Sequence, residues 1–356
     1  MSRPDDDLMQ RLRAVLSRAL PSGYPLPPGE SEADWRAAAL AALEQLAPAL
    51  SQPAGFDHTL GSALDLTAST EMPQSLEALP GRARLLGEVL RNLADPGRIN
   101  QGHKGTCAVA CVEIHLAMKH PGVYARLVAE LLSTDGAARM NGGAVLTRDE
   151  SQLQWTAAEA RRSPASRLLQ VAFMEFAFPD LDYCNIVDGH HDGDGTNTGT
   201  GMSLDAFDRL LDAVTGHAWS RLCIEDRFIV EQFVRMGMCP TVLPDIKRDG
   251  EAIIRASLAA DHGVFVTLQP LPESGSRATR VGLHPMLRLP HKVRVLRIDD
   301  EAGRIWYDDP LDPEVPWIPD VESRVENLDG HCSMAKSDFL GLVVELSCRT
   351  EHVPKT

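Results

Sequence analysis

The chain has 356 residues, 44% of them apolar and 24% charged, with a formal net charge of −15 at pH 7. That length and balance suit a globular protein of two or three lobes with real cores. The acidity argues against broad nucleic-acid binding, which draws its affinity from lysine and arginine on phosphates, and no uninterrupted apolar stretch reaches the roughly 18 residues that would signal a membrane span.

The first residues, Met1 to Asp7, are acidic and carry no apolar core of a secretory signal. A cytoplasmic chain is therefore expected, although export by a machine that reads no N-terminal signal stays compatible with it. Seven cysteines, Cys107, Cys111, Cys184, Cys223, Cys239, Cys332 and Cys348, are odd in number and widely spaced, without a C-x-x-C step. Such a set suits thiols in a reducing compartment better than a disulfide framework.

Residues 1–95 read as an N-terminal helical region. Ala- and Leu-rich patches at 8–20, 35–50 and 82–93 are joined by proline-rich links such as Pro21-Ser22-Gly23-Tyr24-Pro25-Leu26-Pro27-Pro28. A packing or docking role is expected for it, with an inhibitory prosegment as the alternative.

The run Asn100-Gln101-Gly102-His103-Lys104-Gly105-Thr106-Cys107-Ala108 precedes an apolar stretch, to about Lys119, that reads as a buried helix. A cysteine in the first turn of a helix meets unpaired backbone N–H groups and the positive end of the helix dipole, which favour the thiolate. Cys107 is thus a candidate nucleophile. Thr106 is expected to cap the helix, Gly105 to supply the tight turn, and Gln101 to offer an amide donor for an oxyanion near the sulfur. His103, Cys107, Cys111 and His115 recur every four residues, but on one helix they would span about 18 Å. One zinc holds its ligands at about 2.0 to 2.3 Å, so no metal and no cofactor are expected.

Helices are predicted at 124–132, from Ser163-Pro164 onward, at 203–214 and at 225–236. The run from Asp188 to Gly201 has the oxygen-rich look of a hard-cation loop, with Asp188, Asp192 and Asp194. Its twelfth position is Gly199 instead of the glutamate a calcium loop needs, so a mobile glycine-rich loop is the expectation.

Strands are predicted from about residue 237 onward: 264–268, 342–346, and a hairpin whose arms are 291–298 and 304–310. Val293, Val295, Ile305 and Tyr307 alternate with polar or larger residues, and residues 299–303 make the turn. If Ile298 pairs with Arg304, Val293 opposes Asp309, and parity puts Asp309 on the face of His291 while Asp308 points away; a slip of one residue would reverse the choice in favour of Asp308. A carboxylate on one ring nitrogen would fix the tautomer with which His291 deprotonates a thiol. His284 is the rival base. Arg277, Arg280, Arg288, Lys292, Arg294 and Arg297 form a basic stripe around His291, read as a solvated face or as the approach of an acidic substrate.

The order Gln101, Cys107, His291, Asp309, with five residues between the first two and a His-to-Asp-Pro strand pair late in the chain, resembles papain-like cysteine peptidases. The Asp309-Pro310 ending is closest to the bacterial branch that processes peptides during export. Here Gly105-Thr106 replaces the family's small-residue step, Ala108 replaces the aromatic after the cysteine, and aspartate replaces the asparagine of papain. The resemblance implies an α+β fold of two lobes, a helical one carrying Cys107 (96–236) and an antiparallel β lobe carrying His291 and Asp309 (237–356), behind the helical region 1–95. It implies a cysteine-type peptidase or amidase acting on a protein or peptide, with Gln101 as oxyanion donor, Cys107 as nucleophile, His291 as base and Asp309 as its orienter. The alternatives are an inactive papain-like module used for binding, and acyl transfer or glutamine deamidation on the same fold.

Overall fold

A computed structural model describes residues 4–21, 26–50, 58–78, 80–102, 104–148, 162–199, 201–223, 246–268, 291–311, 325–326 and 331–352. The protein is of mixed α+β class with antiparallel sheets. It forms two compact units, Met1–Gly201 and Met202–Thr356. Boundaries at 95 and 236, expected from composition, do not coincide with that division. The expected helix 225–236, His103 and His284 lie outside the described residues.

The first unit is helical. Its elements are α1 Pro4–Leu16, α2 Glu32–Leu50, α3 His58–Ser69, α4 Gln74–Ala78, α5 Arg82–Ala94, α6 Cys107–Lys119, α7 Pro121–Leu132 and α8 Pro164–Ala177, with a two-stranded ribbon β1 Ala137–Arg139 and β2 Val145–Thr147. The helices before residue 95 pack within this unit: α3 lies along α7, and α5 touches α6, α7 and α8. Their apolar faces meet the faces of later helices, a tertiary fact that composition does not carry. The first helix ends at Leu16, four residues before the expected end. Gly87 lets α5 approach Trp35 of α2, whose indole Nε1 donates to Glu88 Oε1 at 2.7 Å.

Buried charge organises this core. Burial alone would raise the pKa of Glu88, but Arg98, Arg84 and Arg91 together outweigh it, and the Trp35 bond adds to them, giving about 2. The carboxylate is therefore ionised and compensated.

Chain segments 182–199 form a small antiparallel sheet of β3 Asp182–Cys184, β4 Gly189–His191 and β5 Asn197–Gly199, in that order. This corrects the expected glycine-rich loop. At the β4–β5 turn Asp192 Oδ1 accepts from the backbone N–H groups of Asp194 (3.1 Å) and Thr196 (2.9 Å), so its carboxylate closes a local turn.

The second unit is a seven-stranded antiparallel sheet with helices. Its elements are α9 Leu204–Thr215, β6 Trp219–Cys223, α10 Ile246–Ala259, β7 Val264–Leu268, β8 His291–Asp299, β9 Arg304–Asp308, β10 Val325–Glu326, β11 His331–Ala335, α11 Lys336–Leu342 and β12 Val343–Arg349. The strand order is β10-β11-β9-β8-β7-β12-β6. Ser203 caps α9 by accepting from Ala206 N, and Gly216 ends it in the left-handed conformation.

The two faces of this sheet differ. Val264, Val266, Leu268, Val293, Val295, Ile305, Tyr307, Leu346 and Cys348 form an apolar face packed with Ile253 and Ile254 of α10 and Phe339 of α11. The opposite face is polar, as period-2 alternation dictates. On it Glu345 is fully buried and accepts from Thr267 Oγ1, Lys292 Nζ and, at 2.5 Å, Ser347 Oγ. Phe207 of α9 covers part of this face, meeting Phe265 edge-on and the Lys292 ammonium at 4.3 Å.

The β8–β9 hairpin departs from its expected register near the turn. Ile298 pairs with Ile305 and Asp299 with Arg304, one residue off the expectation. A bulge at Leu296 shifts the ladder back, so that Val295 pairs with Tyr307 and Arg294 with Asp308. Beyond the bulge the pairing is the expected one.

Candidate active site

Cys107 opens α6 and is partly exposed, whereas positions 108 to 117 of that helix are all buried. Among the other described cysteines Cys184 is also partly exposed, while Cys111, Cys332 and Cys348 are buried. The helix starts where expected, with Thr106 at the N-cap position and Ala110 N donating to Thr106 O at 2.9 Å. The hydroxyl of Thr106 does something else than cap. It donates to Gln170 Oε1 of α8 at 3.1 Å, because a buried glutamine offers an acceptor from the side. The tight turn is at Gly102, with φ of 61°, instead of at Gly105.

Two residues that sequence reasoning did not assign here hold the cysteine loop. Gln170 is fully buried on α8; its Nε2 donates to Asn100 O (3.1 Å) and to Glu113 Oε2 (2.7 Å) while its Oε1 takes the Thr106 bond. One side chain thus ties together both ends of the 100–106 segment. Asp188, expected at most as a cation ligand, is in the left-handed region (φ 52°), and its Oδ2 accepts from Gly105 N at 2.8 Å while Oδ1 accepts from Tyr183 Oη at 2.8 Å. Lys104 Nζ donates to Ile186 O at 3.0 Å, a third tie between the loop and the β3–β4 connection. A polar residue inside the apolar run of α8 was the one signal for Gln170.

Gln101 is 2% exposed, and its Nε2 donates to Lys104 O at 2.5 Å. One of its two amide hydrogens is spent on its own loop, which fixes the side chain and leaves the second. Its Oε1 is buried without a hydrogen-bond partner among the described residues.

Glu113, one turn and a half into α6, is fully buried and accepts from Gln170, from Ser166 Oγ at 2.8 Å and from Tyr124 Oη at 3.3 Å. Burial raises its pKa to about 7 against the pull of those bonds and of Arg162. A proton-sensitive acid therefore lies one residue, Gln170, away from the cysteine loop.

In the second unit His291 opens β8 and Asp309 follows the last residue of β9. Their side chains are 5% and 3% exposed, and His291 Nε2 meets Asp309 Oδ1 at 2.7 Å. The same Oδ1 accepts from Leu311 N at 3.0 Å, so the carboxylate is held from the backbone as well. The contact with Asp309 engages Nε2 of the ring. Asp308 serves the other face, where it takes His331 Nδ1 at 2.6 Å and Arg294 at 3.2 Å.

Of the described members of the basic stripe, two are buried on acids and one is exposed. Lys292 is buried on Glu345 and Arg294 on Asp308, while Arg297 is exposed and stacks over Trp306 at 4.6 Å. Cross-strand acids thus take up Lys292 and Arg294. Arg277, Arg280 and Arg288 lie outside the described residues.

Among the described residues no helix is long and apolar enough to cross a membrane. No family model, no curated protein and no solved structure matches the chain.

Proposed function

We propose that the protein is a thiol hydrolase of papain-like type that cleaves a peptide or isopeptide amide through Cys107, His291 and Asp309. The observation that carries the reading is the buried His291–Asp309 pair at 2.7 Å, whose carboxylate has a second, backbone anchor. A partly exposed thiol at the first turn of a buried helix supports it from the other unit.

In this reading Nδ1 of His291 takes the Cys107 proton, and the thiolate attacks the substrate carbonyl carbon. The remaining amide hydrogen of Gln101 and a backbone N–H of the first turn of α6 stabilise the oxyanion. Collapse of that intermediate returns the proton from His291 to the departing amine and leaves a thioester on Cys107. Water, deprotonated by His291, then attacks the thioester, freeing the carboxylic acid and restoring the thiol. Asp309 keeps the imidazole in one tautomer and offsets its charge while it holds the proton.

Site-resolved alkylation tests this without a known substrate. Iodoacetamide should modify Cys107 at mildly acidic pH faster than Cys184, the other partly exposed thiol among the described cysteines, and His291→Ala should slow Cys107 while leaving Cys184 unchanged. Equal rates at the two cysteines, or indifference of Cys107 to His291→Ala, would sink the hydrolase and leave a module that binds.

A further inference from the structure

A second cluster of chemistry-bearing side chains lies at the end of the sheet where β7 begins and β12 finishes. His262 comes from the turn between α10 and β7; Glu351 and His352 come from the single helical turn that follows β12. Nδ1 of His262 is 2.7 Å from Nε2 of His352 and 3.4 Å from Oε1 of Glu351, and the last two atoms are 3.9 Å apart.

Both walls of this cluster are fixed by backbone. Asp261 takes a left-handed φ of 59° and His262 N donates to Ser257 O at 2.9 Å, which ends α10 and sets His262 at the mouth of β7. Thr350 N donates to Ala218 O at 3.1 Å, and the hydroxyls of Ser220 and Thr350 meet at 2.7 Å, which ties the C-terminal turn to β6. Converging the three side chains is thus a property of the strand ends.

A triangle with these three edges has a point about 2.0 Å from all of its corners, the bond length of zinc to imidazole nitrogen and carboxylate oxygen. Two imidazoles and one carboxylate also fit the borderline transition metals; calcium and magnesium want six or more oxygens. We propose that His262, Glu351 and His352 form a binding site for a zinc-like divalent cation, with the fourth position left to solvent. Burial first, and then the Arg349 charge, lower the pKa of His262; that charge works against the cation, whereas Glu351 works for it.

The site is separate from the proposed catalytic pair. His291 pairs with Leu268 at the far end of β7, four residues beyond Val264 and so roughly 13 Å along the strand at about 3.3 Å per residue. A metal here would clip the C-terminal turn onto the start of β7, so its role is to hold the sheet together, and it stands whether or not Cys107 is a nucleophile.

The test is calorimetric titration of the metal-stripped full chain with zinc chloride. One saturable site is expected, with a thermal midpoint that rises with zinc concentration. His262→Ala and His352→Ala should each weaken binding by roughly tenfold or more, and Cys107→Ser and His291→Ala should leave it intact. Glu351→Gln alters a largely exposed side chain, so it keeps the fold while still weakening the site. Cobalt should give the visible bands of a four-coordinate ion in the parent chain and lose them in His352→Ala. Absence of saturable binding, or zinc affinity unchanged in Glu351→Gln and His262→Ala, would overturn the proposal.

Discussion

Asp308 and Asp309 are neighbours in the chain that serve opposite faces of one sheet. Asp309 Oδ1 meets His291 Nε2 at 2.7 Å, and Asp308 Oδ1 meets His331 Nδ1 at 2.6 Å. Each carboxylate has its own histidine, so the two are separable by substitution. Asp309→Asn should lower Cys107 alkylation and any turnover by on the order of 10²- to 10⁴-fold, because an amide no longer fixes the tautomer of His291 or offsets its charge. Asp308→Asn should leave both nearly unchanged while lowering the thermal midpoint, since Arg294 would lose a buried partner. The reverse ranking would assign the orienting role to Asp308.

That assignment shows what the sequence could and could not reveal. Alternation of Val293, Val295, Ile305 and Tyr307 exposed the hairpin and its parity, because one face packs on α10 and must be apolar. The bulge at Leu296 left no such mark: it compensates a one-residue shift near the turn, so a regular ladder drawn from the wrong turn pair still pairs Arg294 with Asp308, as observed. The start of α6 was legible from the glycine-threonine-cysteine step. The bonds of Gln170 and Asp188 to the cysteine loop were not, since they join residues 64 and 83 positions apart in the chain. Short strands such as β3 to β5 were masked by glycine and aspartate, which depress strand propensity.

Gln170 gives the second prediction. Gln170→Ala removes the bonds to Asn100 O, Thr106 Oγ1 and Glu113 Oε2 together, and should cost about 1–3 kcal/mol of stability. A merely structural role would move only the thermal midpoint. If Gln170 positions the cysteine loop, the alkylation rate of Cys107 should also change several-fold relative to Cys184 in the same sample, and Gln170→Glu at low pH should restore part of it. A Cys107-to-Cys184 ratio equal to that of the parent chain would remove the positioning role.

Gly87 supplies a test of the helical core that is independent of chemistry. A methyl at this position would run into the ring of Trp35, which is fully buried, and would stand 3.2 Å from Ala39 Cβ. Neither helix can give way without disturbing the Trp35 bond to Glu88. Gly87→Ala should therefore destabilise by about 1–3 kcal/mol despite alanine's better helix propensity. Chemical denaturation reads this directly, and a stabilised variant would mean that α2 and α5 are not packed this closely.

Glu113 ties stability to pH with a definite sign. Its folded-state pKa is raised to about 7, above the ordinary 4.5, chiefly by burial. A raised acid binds its proton more tightly in the folded protein, so its contribution is fully present below about pH 4.5 and is lost as pH rises through about 7. A rise of that size corresponds to about 3 kcal/mol between the two ends of the window. Asp208 in the second unit, also raised to about 7 by burial and by Glu345, contributes with the same sign, so the parent profile alone does not isolate Glu113. The difference between parent and Glu113→Gln does. Glutamine keeps one oxygen, enough for Ser166 and Tyr124, which share Oε1, and loses the Oε2 acceptor of Gln170 at every pH. It cannot ionise, so relative to the parent the variant should gain stability between pH 4.5 and pH 8. Urea denaturation at those two values measures it, and a parallel pair of profiles would mean that Glu113 titrates in the folded protein where it does in the unfolded chain.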